Sequence, residues 1–91
     1  MLKIIPTNQF KRDVQKIAKD KTKNLDELTL VINMLANGES LPYKYRDHKL
    51  RGDKSAFREC HIRPDWLLIY QIKTDILVLS LVRTGSHSEI L

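Results

Sequence analysis

Three histidines, His48, His61 and His87, all fall in the second half of a 91-residue chain. Beside them stand Asp65, Trp66, Arg58, Arg63 and Arg83. Such a set suits cleavage of RNA by its own 2′-hydroxyl group. That reaction needs a base for the hydroxyl proton, an acid for the leaving 5′-oxygen and cations around the pentacovalent phosphorane. Imidazoles titrate near neutrality and serve either proton transfer. Arginine forks bind phosphate oxygens in pairs, and an indole offers an unpaired base a surface to stack on. The same side chains also allow a metal site built from His48, His61, His87 and Asp65, although no HxH, HxxxH or CxxC spacing favours it. Cys60 alternates to the strand face opposite His61, which weakens a Cys–His nucleophile pair. Each residue has an ordinary structural use as well. His48 suits a hydrogen-bonding loop, His61 an exposed strand and His87 a tail. Trp66 suits a core, Asp65 the turn after Pro64, and Arg58 and Arg63 a charged strand edge.

The elements that must position these groups follow from the period of the apolar residues. Leu2 to Ile5 reads as a strand ended by Pro6. Thr7 or Asn8 caps a helix whose stripe is Phe10, Val14, Ile17 and Ala18. After KDKTKN, Asn24 and Glu27 have the spacing of a capping box. Leu25, Leu28, Ile32 and Leu35 then continue at helical spacing, widened by Val31 and Met34, to a stop at Asn37-Gly38. Residues 40–55 lack a period and read as a loop. Phe57 to Ile62, Trp66 to Ile72 and Ile76 to Arg83 read as three strands, antiparallel because their connections are short. The third, ILVLSLV, is nearly continuous in apolar residues, so it is expected to be central and covered on both faces. The fold class is α+β: two N-terminal helices on a small, mostly antiparallel sheet, in the order β-α-α-β-β-β with a short C-terminal element. The histidines lie at element ends, which can converge at one edge of such a sheet.

A length of 91 residues fits one domain, residues 1–91, with a thin core. At 42% hydrophobic and 30% charged residues, the composition is that of a folded, water-soluble chain. No apolar run approaches the roughly 20 residues that span a bilayer, and MLKIIPTNQFKRD has no signal-peptide h-region. No membrane association is expected. A single cysteine cannot form an internal disulfide and fits a reducing compartment, so the cytoplasm is the expected location. Lys and Arg number 16 against 11 Asp and Glu, a net charge of +5. Basic groups concentrate between residues 44 and 63, including Lys49 and Arg51, and again between Lys11 and Lys23. Two basic zones point toward a polyanionic partner.

YRDHKLRG at 45–52, FRECHIRPDWLLIY at 57–70 and LVRTGSHSEIL at 81–91 resemble the three signature segments of YafQ-type toxins. These belong to the RelE/ParE superfamily of bacterial toxin–antitoxin systems. Order, spacing and the element plan all agree, over essentially the whole chain. The resemblance implies a RelE-like fold and an mRNA interferase that enters the ribosomal A site and cuts the bound codon. The cut leaves a 2′,3′-cyclic phosphate and a 5′-hydroxyl, with no metal or cofactor. By the same resemblance His48, His61, Asp65 and His87 are the catalytic set. His61 and His87 are the expected proton-transfer pair, and His48 and Asp65 orient groups and share the proton work. Trp66 positions a base or braces the site, and Arg83 binds phosphate. Arg58, Lys49, Arg51 and Arg63 complete the expected RNA surface. Leu91 stands where the family often has an aromatic that helps hold mRNA. The implied partners are the ribosome with its mRNA and a cognate antitoxin, through which alone operator DNA is met. Three further readings stay open: a ribonuclease of free RNA, a catalytically weak antitoxin-binding co-repressor, and a metal-dependent hydrolase.

Overall fold

The computed structural model describes all of residues 1–91. Its first strand, β1 (Lys3–Pro6), ends at the proline. Thr7 then does two jobs. Its hydroxyl oxygen accepts from the Phe10 N–H at 3.1 Å, capping α1 (Asn8–Ile17), and it donates to the Val82 carbonyl at 3.0 Å. One side chain thus starts the helix and ties it to the last strand. Phe10 and Ile17 are buried against the sheet. Ala18, expected on the same stripe, lies past the last helical turn and is exposed.

Asn24 caps α2 (Leu25–Ala36) by accepting from the Asp26 N–H. The expected capping box does not form, because the Glu27 carboxylate is drawn to Arg63 instead. Leu28, Val31, Leu35 and Ala36 are buried, and Gly38, at φ 76°, lies just beyond the helix end.

Residues 40–55 are more ordered than a plain loop. They hold two 3₁₀ turns, Tyr43–Tyr45 and Gly52–Lys54, and a two-residue strand, β2 (His48–Lys49). Strands β3 (Arg58–Arg63), β4 (Trp66–Lys73) and β5 (Val78–Gly85) follow. The sheet order is β1-β5-β4-β3-β2, with β1 parallel to β5 and the other neighbours antiparallel. Two expectations change. The last strand begins at Val78, because Ile76 and Leu77 are exposed in a turn where Leu77 takes φ 55°. The last strand is interior as expected, between β1 and β4, but it is not covered throughout: Ser80, Val82 and Arg83 are covered only in part, whereas Trp66 to Tyr70 of β4 are all buried.

Strand alternation sorts the sheet's two faces. Cys60, Ile62, Trp66, Leu68 and Tyr70 join Leu79 and Leu81 in the core beneath α1 and α2. Glu59, His61, Leu67 and Ile69 take the opposite face. A one-residue slip of β3 would expose Cys60 and Ile62 and push Glu59 and His61 into that core. The core therefore dictates which face the histidines occupy. No helix is long and apolar enough to cross a membrane.

Candidate active site

His48 pairs directly across from Glu59 in the β2–β3 ladder, and His61 is two residues further along β3. All three side chains therefore share one face. The two imidazole centroids are 6.4 Å apart. Each ring is held from behind: His48 Nδ1 is 2.6 Å from the Arg46 carbonyl oxygen, and His61 Nδ1 is 3.2 Å from that of Pro64. A carbonyl can only accept, so both Nδ1 atoms carry hydrogen and both Nε2 atoms are left for chemistry. Both Nε2 atoms face Glu59, whose Oε1 lies 4.0 Å from that of His48 and 3.5 Å from that of His61. Glu59 is only 5% exposed. Its residue type alone does not mark it as a site residue. Its signal was the i, i+2 relation to His61, which means a shared face once the segment is a strand.

The loop that delivers His48 is clamped one residue earlier. The Tyr70 hydroxyl, buried in β4, donates to the Asp47 carboxylate. Arg58 closes the triangle, with Nη2 3.2 Å from Asp47 Oδ2 and Nε 3.3 Å from the Tyr70 oxygen. Burial raises the pKa of the Tyr70 phenol, and the Asp47 carboxylate raises it further. The bond to Asp47 likewise raises that of Arg58. Arg46, at a left-handed φ of 49°, supplies the carbonyl that orients His48.

His87 opens the short helix α3 (His87–Ile90) and is exposed. The row His61–Leu67–Gly85 crosses β3, β4 and β5, so His87 follows at the same end of the sheet. Two strand spacings put Gly85 roughly 10 Å from His61. Ser86 and Glu89 cap α3 reciprocally, and Lys16 of α1 pairs with Glu89. Gly85, at φ 153°, permits the bend, and a Cβ there would meet Ile90 Cγ2 at 3.1 Å. Asp65 stands exposed in the Pro64–Asp65 turn that holds His61.

Of the residues expected to face RNA, Trp66 is buried and three arginines are ion-paired. Trp66 is 1% exposed and its indole N–H donates to Thr84 Oγ1 at 3.0 Å. Neither face of its ring is free for a base, so it braces the sheet and does not stack. Arg58 is engaged by Asp47, Arg63 by both carboxylate oxygens of Glu27, and Arg83 by Asp13. Burial by itself raises the pKa of Asp13, but hydrogen bonds from Arg83, the Thr84 N–H and Gln9 outweigh it and leave the carboxyl below its ordinary value. Lys49, Arg51 and Leu91 are exposed. The structure thus gathers His48 and His61 around Glu59, places Asp65 in the turn next to His61 and His87 past the same end of the sheet, and withdraws Trp66. No group of three or more His, Cys, Asp or Glu side chains is arranged to hold a metal ion.

Residues 2–91 match the model of a family described as the bacterial toxin of type II toxin–antitoxin system, YafQ. The chain is 39% identical over 83 residues to the mRNA interferase toxin YafQ of Escherichia coli, covering 90% of this chain and 87% of that protein. A crystal structure of a metal-bound toxin from Helicobacter pylori superposes with a TM-score of 0.94 at 44% identity, over the whole of both chains. A chain of the E. coli DinJ–YafQ complex superposes with a TM-score of 0.87 at 33% identity, covering 100% of this chain and 99% of that one.

Proposed function

This chain belongs to the YafQ family of bacterial type II toxins, and from that premise we propose that it cuts mRNA in the ribosomal A site without a metal. The observation that carries the reading is the imidazole pair. His48 and His61 are each tied through Nδ1 to a backbone carbonyl and present Nε2 to the same buried carboxylate. In this reading His61 and His87 exchange the two protons. One takes the 2′-hydroxyl proton as the 2′-oxygen attacks phosphorus. The bond to the 5′-oxygen breaks, and the other histidine protonates that oxygen. The products are a 2′,3′-cyclic phosphate and a 5′-hydroxyl. Glu59, whose carboxylate both Nε2 atoms face, stabilises the imidazolium that forms when a proton is taken up. His48 and Asp65 orient groups and share the proton work, and Asp65 edges the turn that holds His61. An antitoxin, the kind of partner named in the DinJ–YafQ complex, covers the basic surface and blocks ribosome entry.

The test strips the purified protein with chelator, removes the chelator, incubates the protein with a defined mRNA, with and without programmed ribosomes, and maps the cut ends. Cleavage only on ribosomes, with a cyclic phosphate, is the expected result. Cleavage of free RNA alone would move the substrate off the ribosome. Loss of cutting by the stripped protein, restored by an added transition metal, would overturn the metal-free chemistry. Cutting that survives both His61→Ala and His87→Ala would refute the assigned pair. A substrate with a sulfur leaving group needs no acid, so it restores cutting to the variant that lacks the acid.

A further inference from the structure

Two surface depressions meet at Arg46. The first, of about 560 Å³, is lined by Leu30, Tyr45, Ile62 and Arg63 and reaches His61. The second, of about 630 Å³, is lined by Leu41, Tyr43 and Asp47 and reaches His48. Arg46 borders both.

Two of the acids here are already taken, and the third, Glu59, is buried between His48 and His61. Glu27 is bound by Arg63, and Asp47 by Arg58 and Tyr70. Lys44, whose ammonium lies 5.1 Å above the Tyr45 ring, and Arg46 are in no ion pair. The junction therefore keeps uncompensated positive charge, which favours a phosphate. Tyr43 projects from the rim of the second depression at 92% exposure. An aromatic so exposed contributes nothing to the core and offers a ring for a base to stack on. Arg46 is also one of two non-glycine residues with positive φ, a backbone state that clusters at functional sites.

Resting on the ribonuclease reading above, we propose that the RNA chain leaves the reaction centre over His61 and crosses Arg46. The nucleotide next to the scissile phosphate fills the first depression. The Arg46 guanidinium holds the following phosphate, and the next base stacks on Tyr43. Arg46 and Tyr43 are thus substrate-binding residues in addition to those the sequence suggested, and the ligand is single-stranded RNA of at least two nucleotides beyond the cut.

The probe is a short, fully 2′-O-methylated RNA, which has no 2′-hydroxyl and cannot be cut, titrated into ¹⁵N-labelled protein. Shifts centred on Tyr43, Arg46 and His61 are expected. Arg46→Gly removes the guanidinium but accepts the left-handed backbone, so the carbonyl stays on His48. It should weaken binding about tenfold or more with its unfolding temperature unchanged. Tyr43→Ala should weaken binding by about tenfold. Lys21→Ala, an exposed cation on the α1–α2 turn, controls for net charge. Absence of shifts at Tyr43 and Arg46, or Arg46→Gly binding like the wild type, overturns the track. Cleavage on ribosomes is scored separately. Oligonucleotide binding across Arg46 without any cleavage would sink the ribonuclease reading and leave an RNA site. Cleavage equally efficient in both variants would sink the track and leave the ribonuclease.

Discussion

Tyr70→Phe deletes one oxygen from a fully buried side chain and leaves the ring in place. The lost hydroxyl donates to Asp47 and receives from Arg58 Nε at 3.3 Å. A hydrogen bond to a charged group contributes about 1.5–3 kcal/mol. Asp47 keeps Arg58 at 3.2 Å and is partly open to water, so the cost falls in the lower part of that range. We take about 1.5–2 kcal/mol. For a domain of this size each kcal/mol shifts the melting temperature by about 4–8 °C, so the drop is roughly 6–16 °C. Asp47 immediately precedes His48, and loosening it lets the imidazole wander from Glu59. Turnover should fall by about tenfold or more with KM nearly unchanged. The assays are thermal unfolding followed by circular dichroism, and cleavage kinetics on programmed ribosomes well below the melting temperature. A double-mutant cycle with Asp47→Asn should give a coupling of about 0.5–3 kcal/mol. The reasoning is refuted if Tyr70→Phe melts within about 2 °C of the wild type. It is refuted equally if Tyr70→Phe and Asp47→Asn act additively, because the clamp would then not be a unit.

Trp66→Phe should cost about 1–3 kcal/mol through the lost bond to Thr84 and the smaller ring. Fluorescence of the single tryptophan should be blue-shifted and unquenched by bound RNA, and quenching would contradict its role as a brace. The Glu89 carboxyl is pulled down to about 2 by Lys16 first and then by Ser86. A depressed carboxylate contributes stability that is full above its ordinary value of 4.5 and is lost as pH falls toward 2. The α3 amides should accordingly lose hydrogen-exchange protection in acid, and Glu89→Gln should flatten that dependence. Burial pushes the Cys60 thiol up to about 12. The folded protein should resist a thiol-exchange reagent at about pH 8 and react only when unfolded.

The sequence by itself determined the parts that depend on local spacing. The 3.6-residue stripes of α1 and α2, the alternation in β3 and the apolar run of β4 each constrain a segment from within. So does the face that His61 occupies, because Cys60 and Ile62 beside it must be buried. Three motif segments carried the family and with it the candidate histidines. What it left open concerns pairs of residues far apart in the chain. Glu27 had the spacing of a cap residue and binds Arg63, 36 positions away. Arg83 read as a free phosphate ligand and is held by Asp13, 70 positions away. Trp66 had the chemistry of a stacking platform and lies in the core, because Thr84 and the helices close over it. The two residues of β2 are too few to show a period, yet their pairing with β3 places His48 opposite Glu59. A charged or aromatic side chain is committed by whichever partner folding brings to it. That choice belongs to the tertiary structure, since neighbours in sequence fix the face a residue occupies but not what waits on the other side.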